Sequence, residues 1–355
     1  MRTSLKQSQP QSGIAIIIVL ISIFVLTMLA GGFAYSMKVE TRLAQNANSE
    51  AELEWLGRSG VEYARWILAE QLKIPQEPYD ALNQVWAGGQ GGIGTSNSPL
   101  VDVQREVHLG NGKFTWKIID LERKANINIA DQQMLGQALS VIGVDAGEQT
   151  PVGSILDWID PDDSTHPNGA ENDFYHSQNP PYDCKNGPID DLSELLFIKG
   201  ITPELYWGDF STNHPPAAFQ GHVNKFGLPV TYPYGLVDLF TPLSDGRINI
   251  NTASAEVLQL VPGVTPQIAQ AIMSGREGED DGSGLLGPYK SVQGVERAPE
   301  VPRGMGSMLQ SYCDVRSRTF EVTVDAEIGG YKRQFVAVLG RNNPRDVQIL
   351  TFYWK

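Results

Sequence analysis

The densest group of chemically active side chains lies in residues 156–175, LDWIDPDDSTHPNGAENDFY, which hold six carboxylates within 17 positions around a Pro/Gly loop. The six are Asp157, Asp160, Asp162, Asp163, Glu171 and Asp173. Carboxylates this close repel one another unless a cation lies among them, and Ca²⁺ takes about six to eight oxygen ligands from flexible loops. The spacing does not fit an EF-hand. These oxygens suit a calcium site, but on the residues alone an acidic loop solvated by water is the favoured interpretation.

Other chemistries find less support in the same residues. Paired carboxylates also serve glycosidases, but these need aromatic sugar platforms beside a deep cleft, and the sequence shows no such arrangement. His166 and His176 flank the carboxylates without the Cys/His spacing of a zinc site, and no G-x-S-x-G elbow occurs. We therefore expect no enzyme, with a membrane-tethered hydrolase as the alternative.

The chain has two cysteines, Cys184 and Cys313. An even pair in a chain that leaves the cytoplasm can close one disulfide, so we predict a Cys184–Cys313 bond. Two buried free thiols are the alternative.

Charge argues against a nucleic-acid partner. The chain has 27 Lys and Arg against 41 Asp and Glu, a formal charge of −14 that repels phosphate over most of the surface. Residues 251–277, NTASAEVLQLVPGVTPQIAQAIMSGRE, nevertheless resemble the helix-hairpin-helix of membrane-anchored DNA-uptake receptors. Such hairpins bind phosphates with backbone amides and Lys or Arg. Residues 261–274 hold no basic residue, and Arg276 is followed by four acids: Glu277, Glu279, Asp280 and Asp281. We expect a SAM-like packing unit, with DNA binding as the alternative.

This hairpin is one of three similar segments in a Pro-rich, helical stretch from about 125 to 315. Each has an apolar helix, a hydrophobe-Gly-hydrophobe turn and a second helix start. Gly143, Gly200 and Gly263 stand at the turns, where positive φ favours glycine. Asn-Ile-Asn at 126–128 and 249–251 suits turns that cap the following helix.

The segments on either side of this stretch predict a helix packed on a sheet. Apolar residues at helical spacing continue an N-terminal helix to about Leu72. They are Leu43, Ala47, Ala51, Trp55 or Leu56, Val61, Ala64 and Leu68. Extended runs at 103–109, 113–122, 319–328, 331–340 and 347–355 predict an antiparallel meander over this helix.

The N-terminus predicts the compartment. Residues 14–37 carry no charge and are long enough to span a bilayer as a helix. Arg2 and Lys6 precede them, so the positive-inside rule leaves the N-terminus in the cytoplasm and the body outside. Gly13 lies directly before the apolar run, where a signal peptidase acting at its far end would need no glycine.

These features together resemble general secretion pathway protein K, a minor pseudopilin family of type II secretion. The resemblance covers the Gly13/Ile14 junction, LERKANIN at 121–128, the DWIDPDD and GAE blocks, and ININTAS at 248–254. It implies that a prepilin peptidase cuts after Gly13 and methylates Ile14. It also implies Ca²⁺ binding, one ion or two, and by position the implied ligands are Asp160, Asp162, Asp163, Glu171 and Asp173.

Most pilin-type subunits carry Glu at the fifth mature position, and this chain has Ile18 there. In the filament that Glu is thought to neutralise the N-terminal amine of the subunit ahead. A tip subunit has no such amine to meet, and a buried unpaired carboxylate would cost several kcal/mol. The resemblance therefore implies an inner-membrane, periplasm-facing subunit that initiates and caps a pseudopilus with minor pseudopilins I and J on the major pseudopilin. A type IV pilus minor pilin is the alternative.

The predicted fold class is α+β: a pseudopilin frame with a large inserted all-α, SAM-like domain. The predicted parts are a leader at 1–13, a transmembrane stem at 14–37 and the soluble stem with the first strands at 38–124. The insertion at 125–315 and the closing strands at 316–355 follow.

Overall fold

The structure is a computed structural model that describes residues 12–92, 94–144, 150–208, 232–277 and 287–355. The leader charges Arg2 and Lys6 and the acids Glu279, Asp280 and Asp281 lie outside the described residues.

The N-terminal helix α1 spans Ser12–Gln71, which is 60 residues and about 90 Å at 1.5 Å per residue. It ends four residues before Pro75, whose ring lacks the amide hydrogen that a helix interior requires. The C-terminal half of α1 buries one stripe against the sheet. The buried residues are Leu53, Leu56, Val61, Ala64, Ile67 and Leu68. From Leu56 onward the predicted stripe is confirmed, but its earlier part is not buried, because Leu43 and Trp55 are 62% and 70% exposed.

Nine strands occur among the described residues. They are β1 Glu106–Leu109, β2 Gly112–Asp120, β3 Ala125–Asn126, β4 Phe240–Thr241, β5 Ile248–Asn249, β6 Cys313–Asp314, β7 Thr319–Ile328, β8 Tyr331–Asn343 and β9 Asp346–Trp354. Five of them form an antiparallel sheet in the order β1-β2-β7-β8-β9. Glycines with positive φ, Gly110 before β2 and Gly329–Gly330 before β8, make the tight hairpin turns. The predicted meander is confirmed, with strand ends that differ by a few residues.

Alternation along the strands creates the core of this frame. Phe320, Val322, Val324 and Ala326 occupy alternate positions on β7 and are buried against α1. Gly57 lets α1 approach closely, since a Cβ there would collide with the ring of Phe335. The pseudopilin frame predicted from the sequence is thereby confirmed as one long helix on an antiparallel sheet.

Between β2 and β7 the chain forms short helices around a second hydrophobic core. The helices are α2 Gln132–Ile142, α3 Thr150–Ile159, α4 Asn172–Tyr175, α5 Pro203–Trp207, α6 Leu236–Leu239, α7 Ala255–Leu258, α8 Pro266–Arg276 and α9 Met305–Leu309. The described residues also form six 3₁₀ turns, at Val85–Ala87, Thr95–Asn97, Pro99–Asp102, Ile127–Ile129, Leu192–Phe197 and Val292–Arg297. The described part of this insertion is mainly helical, as predicted, but it is not all-α, because the two-residue strands β3 and β4, and β5 and β6, pair within it.

The three turn glycines behave as the sequence predicts. Gly143, Gly200 and Gly263 have φ of 95°, 85° and 80°. The first Asn-Ile-Asn triplet caps as predicted, because the Asn126 side chain accepts the Asn128 amide at the start of the 3₁₀ turn Ile127–Ile129. In the second triplet Asn249 accepts the Asn251 amide but does not cap α7. The caps of α2 and α7 are Asp131 and Ser254.

A buried polar network joins the insertion to the frame. Asp120 Oδ2 accepts hydrogen bonds from the Thr252 hydroxyl, the Ser317 hydroxyl at 2.7 Å and Asn249 Nδ2 at 3.2 Å. Arg341 pairs with Asp80 on the frame side of the same network. Burial raises the pKa of Asp120, and the hydroxyl donors oppose that rise. The exit and the return of the insertion are thus tied to one carboxylate.

Candidate functional site

The acidic loop begins at the end of α3, where Asp157 is fully buried. Its Oδ1 accepts the His166 amide at 2.8 Å and lies 2.6 Å from His166 Nδ1, while Oδ2 accepts the Ala170 amide at 2.6 Å. Gly169 is required beside it, because a Cβ there would collide with Asp157 Oδ2. These bonds fold the loop back over α3.

Three groups that can bind a metal converge beside this loop. Ligand atoms of Asp157, Asp160 and His166 lie within 4.8 Å of one another, and His166 Nδ1 is 3.5 Å from Asp160 Oδ2. In the described parts of the chain, no other group of three His, Cys, Asp or Glu ligand atoms is this compact. The group combines two carboxylates with an imidazole.

Two amide side chains hold Asp163 on the other side of the loop. Its Oδ1 accepts Asn172 Nδ2 at 3.2 Å and Asn186 Nδ2 at 3.0 Å. Asn186 has a φ of 46°, a left-handed conformation that Asn tolerates better than most residues. Its Oδ1 is buried and accepts no hydrogen bond from any described residue. The amide therefore leaves an unsatisfied oxygen beside the acidic residues.

Glu171 is the second source of unsatisfied oxygens. It is only 6% exposed, and neither Oε1 nor Oε2 has a hydrogen-bond partner within the described structure. Burial raises the pKa of Glu171 to about 7, and the charges of Asp157, Asp160 and Asp163 act in the same direction, whereas the nearby Cys184 thiol opposes the rise. A buried carboxylate without donors is costly. Its oxygens have the chemistry of ligands that a cation would satisfy.

The oxygen atoms of this loop are suitable ligands for the calcium ion that the family resemblance implies. The unsatisfied acceptors are all oxygens, two from Glu171 and one from Asn186. Asp160 and Asp163 add carboxylates whose charge reaches Glu171. A hard cation prefers such a set, and soft thiolate ligands are not part of it.

The five predicted ligands do not share one environment. Asp160 and Asp163 lie close enough to Glu171 that their charges raise the pKa of Glu171. Asp162 is exposed, and its Oδ1 accepts the Ser164 amide at 2.7 Å, which lowers the Asp162 pKa. Asp173 is exposed in the first turn of α4.

Sequence reasoning passed over four residues that organise the loop: Asp157, His166, Asn172 and Asn186. Asp157 belongs to the acidic group but was not among the predicted ligands. Asn186 precedes Gly187, and Asn-Gly is a turn signal that could have marked it. His166 and Asn172 carry no local signal, because each lies nine residues from its carboxylate partner.

The predicted disulfide is not formed. Both cysteines are free and buried, in different places. The Cys184 thiol faces the Asp157 carbonyl at 3.6 Å, whereas Cys313 lies in β6 beside Ile248 of β5. An even number of cysteines carries no information about the distance between them, and the two thiols pack at separate places in the same hydrophobic core. Burial raises the pKa of both thiols to about 12.

Comparisons with known proteins cover both the site and the frame. A family model described as type II secretion system (T2SS), protein K matches residues 117–207, which contain the whole acidic loop. The type II secretion system protein K of Pseudomonas aeruginosa is 23% identical over 348 residues, which are 96% of this chain and 92% of that protein. This chain belongs to the type II secretion system protein K family. It is a minor pseudopilin of that system.

Other protein K relatives align over different lengths. The protein K of Aeromonas hydrophila is 22% identical over 354 residues, 96% of each chain. A relative from Escherichia coli is 28% identical over 210 residues, so the alignment spans 60% of that relative and 55% of this chain. A chain of the GspK-GspI-GspJ complex of enterotoxigenic Escherichia coli has the same fold, with a TM-score of 0.61 at 19% identity. The match covers 88% of this chain and 99% of that one.

The stem of this protein K family member has the predicted apolar segment. Gly13 and Ile14 lie in the first turn of α1, and the large apolar side chains that follow are exposed, with Ile18 at 58%. Of the described helices, α1 is the one long and apolar enough to cross a membrane. A protein that exposes this many apolar side chains in one segment needs an apolar surrounding for it.

A second family model, the helix-hairpin-helix motif, matches residues 244–282. It contains α7 and α8 around Gly263. Arg276 at the end of α8 is turned inward, where its Nη1 donates to the carbonyls of Ile250 and Ala253 at 2.7 Å each. In this protein K chain Arg276 therefore bonds to the hairpin backbone from the inside.

Proposed function

We propose that this chain is the tip subunit of a type II secretion pseudopilus, anchored in the inner membrane by α1 with its body in the periplasm. The observation that carries the proposal is the insertion between β2 and β7. It is larger than the frame that holds it, and a subunit of this bulk would block the repeated packing of frames along a filament. One copy at the end avoids that conflict.

Ile18 supports the same position. In a repeated subunit a buried carboxylate would balance the amine of the subunit ahead, and here the stem offers an apolar side chain instead. At the tip there is no amine to balance. An unpaired charge in the apolar stem would cost several kcal/mol.

The proposed partners are the minor pseudopilins I and J, with the major pseudopilin below them. A relative of this fold occurs in a complex of GspK, GspI and GspJ. The prepilin peptidase would act first, by cutting after Gly13 and methylating Ile14. The protein would then initiate and cap the filament, a structural role in the export of folded proteins.

N-terminal analysis of the membrane-inserted protein tests the pseudopilin processing. We expect a mature chain that begins with N-methylated Ile14. A Gly13→Ala variant, which removes the peptidase site and leaves the apolar segment unchanged, should keep Met1. An intact Met1 on the unaltered chain would contradict the proposal.

Copy number tests the tip position separately. Sheared pseudopili of different lengths should contain about one copy of this chain each, while the major pseudopilin increases with length. Quantitative mass spectrometry measures the ratio. A copy number that grows with filament length would exclude a cap.

We also propose that the acidic loop binds calcium, because Glu171 and Asn186 present buried oxygens that no described donor satisfies. Asp160 and Asp163 would complete the binding side with carboxylates. A bound Ca²⁺ supplies a fixed positive charge that these oxygens share. Asp157 would position these ligands, because it fixes the loop through the His166 and Ala170 amides.

Thermal unfolding of the chain from residue 38 onward, with calcium and with a chelator, tests this site. Chelation should lower the melting temperature of the unaltered protein. Glu171→Gln should melt higher than the unaltered protein in chelator, because it removes a buried unpaired charge, and should lose the response to calcium. Asp173→Asn is the matched control and should keep the response. No calcium response in the unaltered protein would remove the proposal.

A further inference from the structure

The two edges of the frame sheet differ in length and chemistry. One edge, β1, has four residues and carries Glu106 and His108, and Lys113 on the adjoining strand pairs with Glu106 at 2.9 Å. The other edge, β9, has nine residues, and among the described strands it pairs only with β8. Short, charged edges discourage strand pairing, whereas long, uncharged edges promote it. Of the two edges, only β1 is short and charged, and so only β1 discourages pairing with another strand.

The open edge β9 is also apolar. After Asp346 it runs VQILTFYW without a charged residue, and four of its large apolar side chains are exposed. Their exposed fractions are 40% for Ile349, 57% for Leu350, 45% for Tyr353 and 61% for Trp354. A bulge at Leu350 interrupts the pairing with β8, which leaves residues 351–354 as a regular edge.

The inner side of β9 is fixed to the stem. The Arg58 guanidinium lies 5.1 Å from the centre of the Phe352 ring, and Phe352 stacks on Phe335 at 5.6 Å. Arg333 lies over Trp354 and pairs with Glu50 of α1 at 2.9 Å. The edge is therefore held in a fixed position beside the C-terminal half of α1.

We propose that β9 receives a β-strand from a neighbouring minor pseudopilin, which extends the sheet by one strand. A row of unpaired strand amides and carbonyls is satisfied in register only by another strand. The absence of charge between residues 347 and 354 selects a partner strand that is apolar over the same length. A partner anchored by a stem parallel to α1 would bring its folded part to the level of β9. The inference rests on the proposed function, since it assumes a membrane-anchored pseudopilin neighbour.

Cysteine cross-linking in membranes tests the register of this contact. The full chain is produced together with minor pseudopilins I and J, with single cysteines placed in turn at residues 348–354 and strand-scanning cysteines in the partners. Cys184 and Cys313 are buried and give little background. We expect cross-links at alternate positions of β9 to one partner strand. A cysteine at His108 on β1 is the control and should form none.

A second variant reports on assembly. Leu350→Lys with Tyr353→Lys places charges on two exposed side chains and should reduce the recovered partner about tenfold, a loss typical of breaking a strand contact. His108→Lys on β1 should leave recovery unchanged. The double variant must keep the melting temperature of the unaltered chain, which separates lost binding from lost folding.

The outcomes separate this inference from the proposed function. If the chain is purified with I and J but β9 cysteines form no alternating cross-links, the inference fails and the minor pseudopilin assembly stands. Cross-links between the β9 strands of two copies of this chain would also overturn it. If I and J are not recovered with the unaltered chain at all, the proposed partners and the inference both fail.

Discussion

The insertion consists of two halves built on one plan, residues 125–241 and residues 248–314. Each opens with Asn-Ile-Asn, and each is closed by a two-residue parallel pairing, β3 with β4 and β5 with β6. In the first half Asn128 exchanges two hydrogen bonds with the backbone of Ile189, at 2.7 and 3.0 Å. In the second half Asn251 does the same with Tyr289, at 2.8 and 2.9 Å.

The halves differ in the charge that they bury. In the second half, two part-buried arginine side chains bind backbone carbonyls. Arg276 binds Ile250 and Ala253, and Arg297 binds Gly275 at 2.7 Å. The first half buries the carboxylates of Asp157 and Glu171 and has no described guanidinium in their place. The second half therefore binds backbone carbonyls with guanidinium groups. The first half does so with an ammonium group, since Lys199 Nζ donates to the Gly169 carbonyl at 2.8 Å, and it also buries Glu171, whose oxygens have no described hydrogen-bond partner.

Removing the shared asparagines has the largest expected effect on stability. Asn251→Ala should lower the free energy of unfolding by about 3 kcal/mol, because two buried backbone groups of Tyr289 lose their partners. Asn128→Ala should cost about 2 kcal/mol, since Asn128 is only partly buried. Urea unfolding measures both, with the exposed Gln133→Ala as the control. A cost in one half only would break the common plan.

Chelation should affect only the first half. With calcium at about 100 times its dissociation constant, amide exchange in residues 157–187 should slow about 100-fold if these amides open together. Residues 250–276 should exchange at the same rate with or without calcium. Hydrogen exchange by mass spectrometry resolves the two segments. A calcium response in the second half would contradict the division of roles.

Arg276→Gln removes one of the guanidinium groups of the second half. Two carbonyls, of Ile250 and Ala253, lose a charged donor, so unfolding should become easier by about 2 kcal/mol. Calcium should not restore the loss, because the carbonyls of the second half are not part of the acidic loop. Arg345→Gln, on an exposed turn, is the control. Recovery of stability in calcium would show that the halves share one ion.

Labelling of the two thiols tests how tightly they are buried. Each half buries one cysteine, and burial raises the pKa of both to about 12. Because the thiolate is the reactive form, labelling of the native protein at pH 8 should be about 1,000-fold slower than for a free thiol. Two thiols should react after unfolding. A count of zero in the unfolded, unreduced protein would restore the disulfide.

Periodic features were readable from the sequence. Alternation predicted the strands of the frame, since one face of each strand must be buried. Positive φ at Gly143, Gly200 and Gly263 followed from the hydrophobe-Gly-hydrophobe turns. The buried stripe of α1 was harder to place, because Trp55 and Leu56 both suit a helical pattern and only the contact with the sheet distinguishes them.

The candidate site was readable only in part. Composition located the acidic loop, but it could not distinguish the carboxylates that face the candidate site from those that face solvent. Asn186 becomes important because its left-handed backbone turns it towards Asp163, 23 positions away. Asp157 is buried because its carboxylate accepts hydrogen bonds from the amides of His166 and Ala170. Such partners depend on how the loop closes, and no local spacing encodes them.

The chain leaves the frame after β2 and returns at β7, and these two strands are neighbours in the sheet, with Asp120 opposite Phe320. To the frame, residues 121–318 are therefore one oversized hairpin connection. The entropy cost of closing a loop grows only by about 0.6 kcal/mol for each doubling of its length. A helix-and-sheet scaffold of this kind could acquire, exchange or lose such a module during evolution while its strands keep the same neighbours.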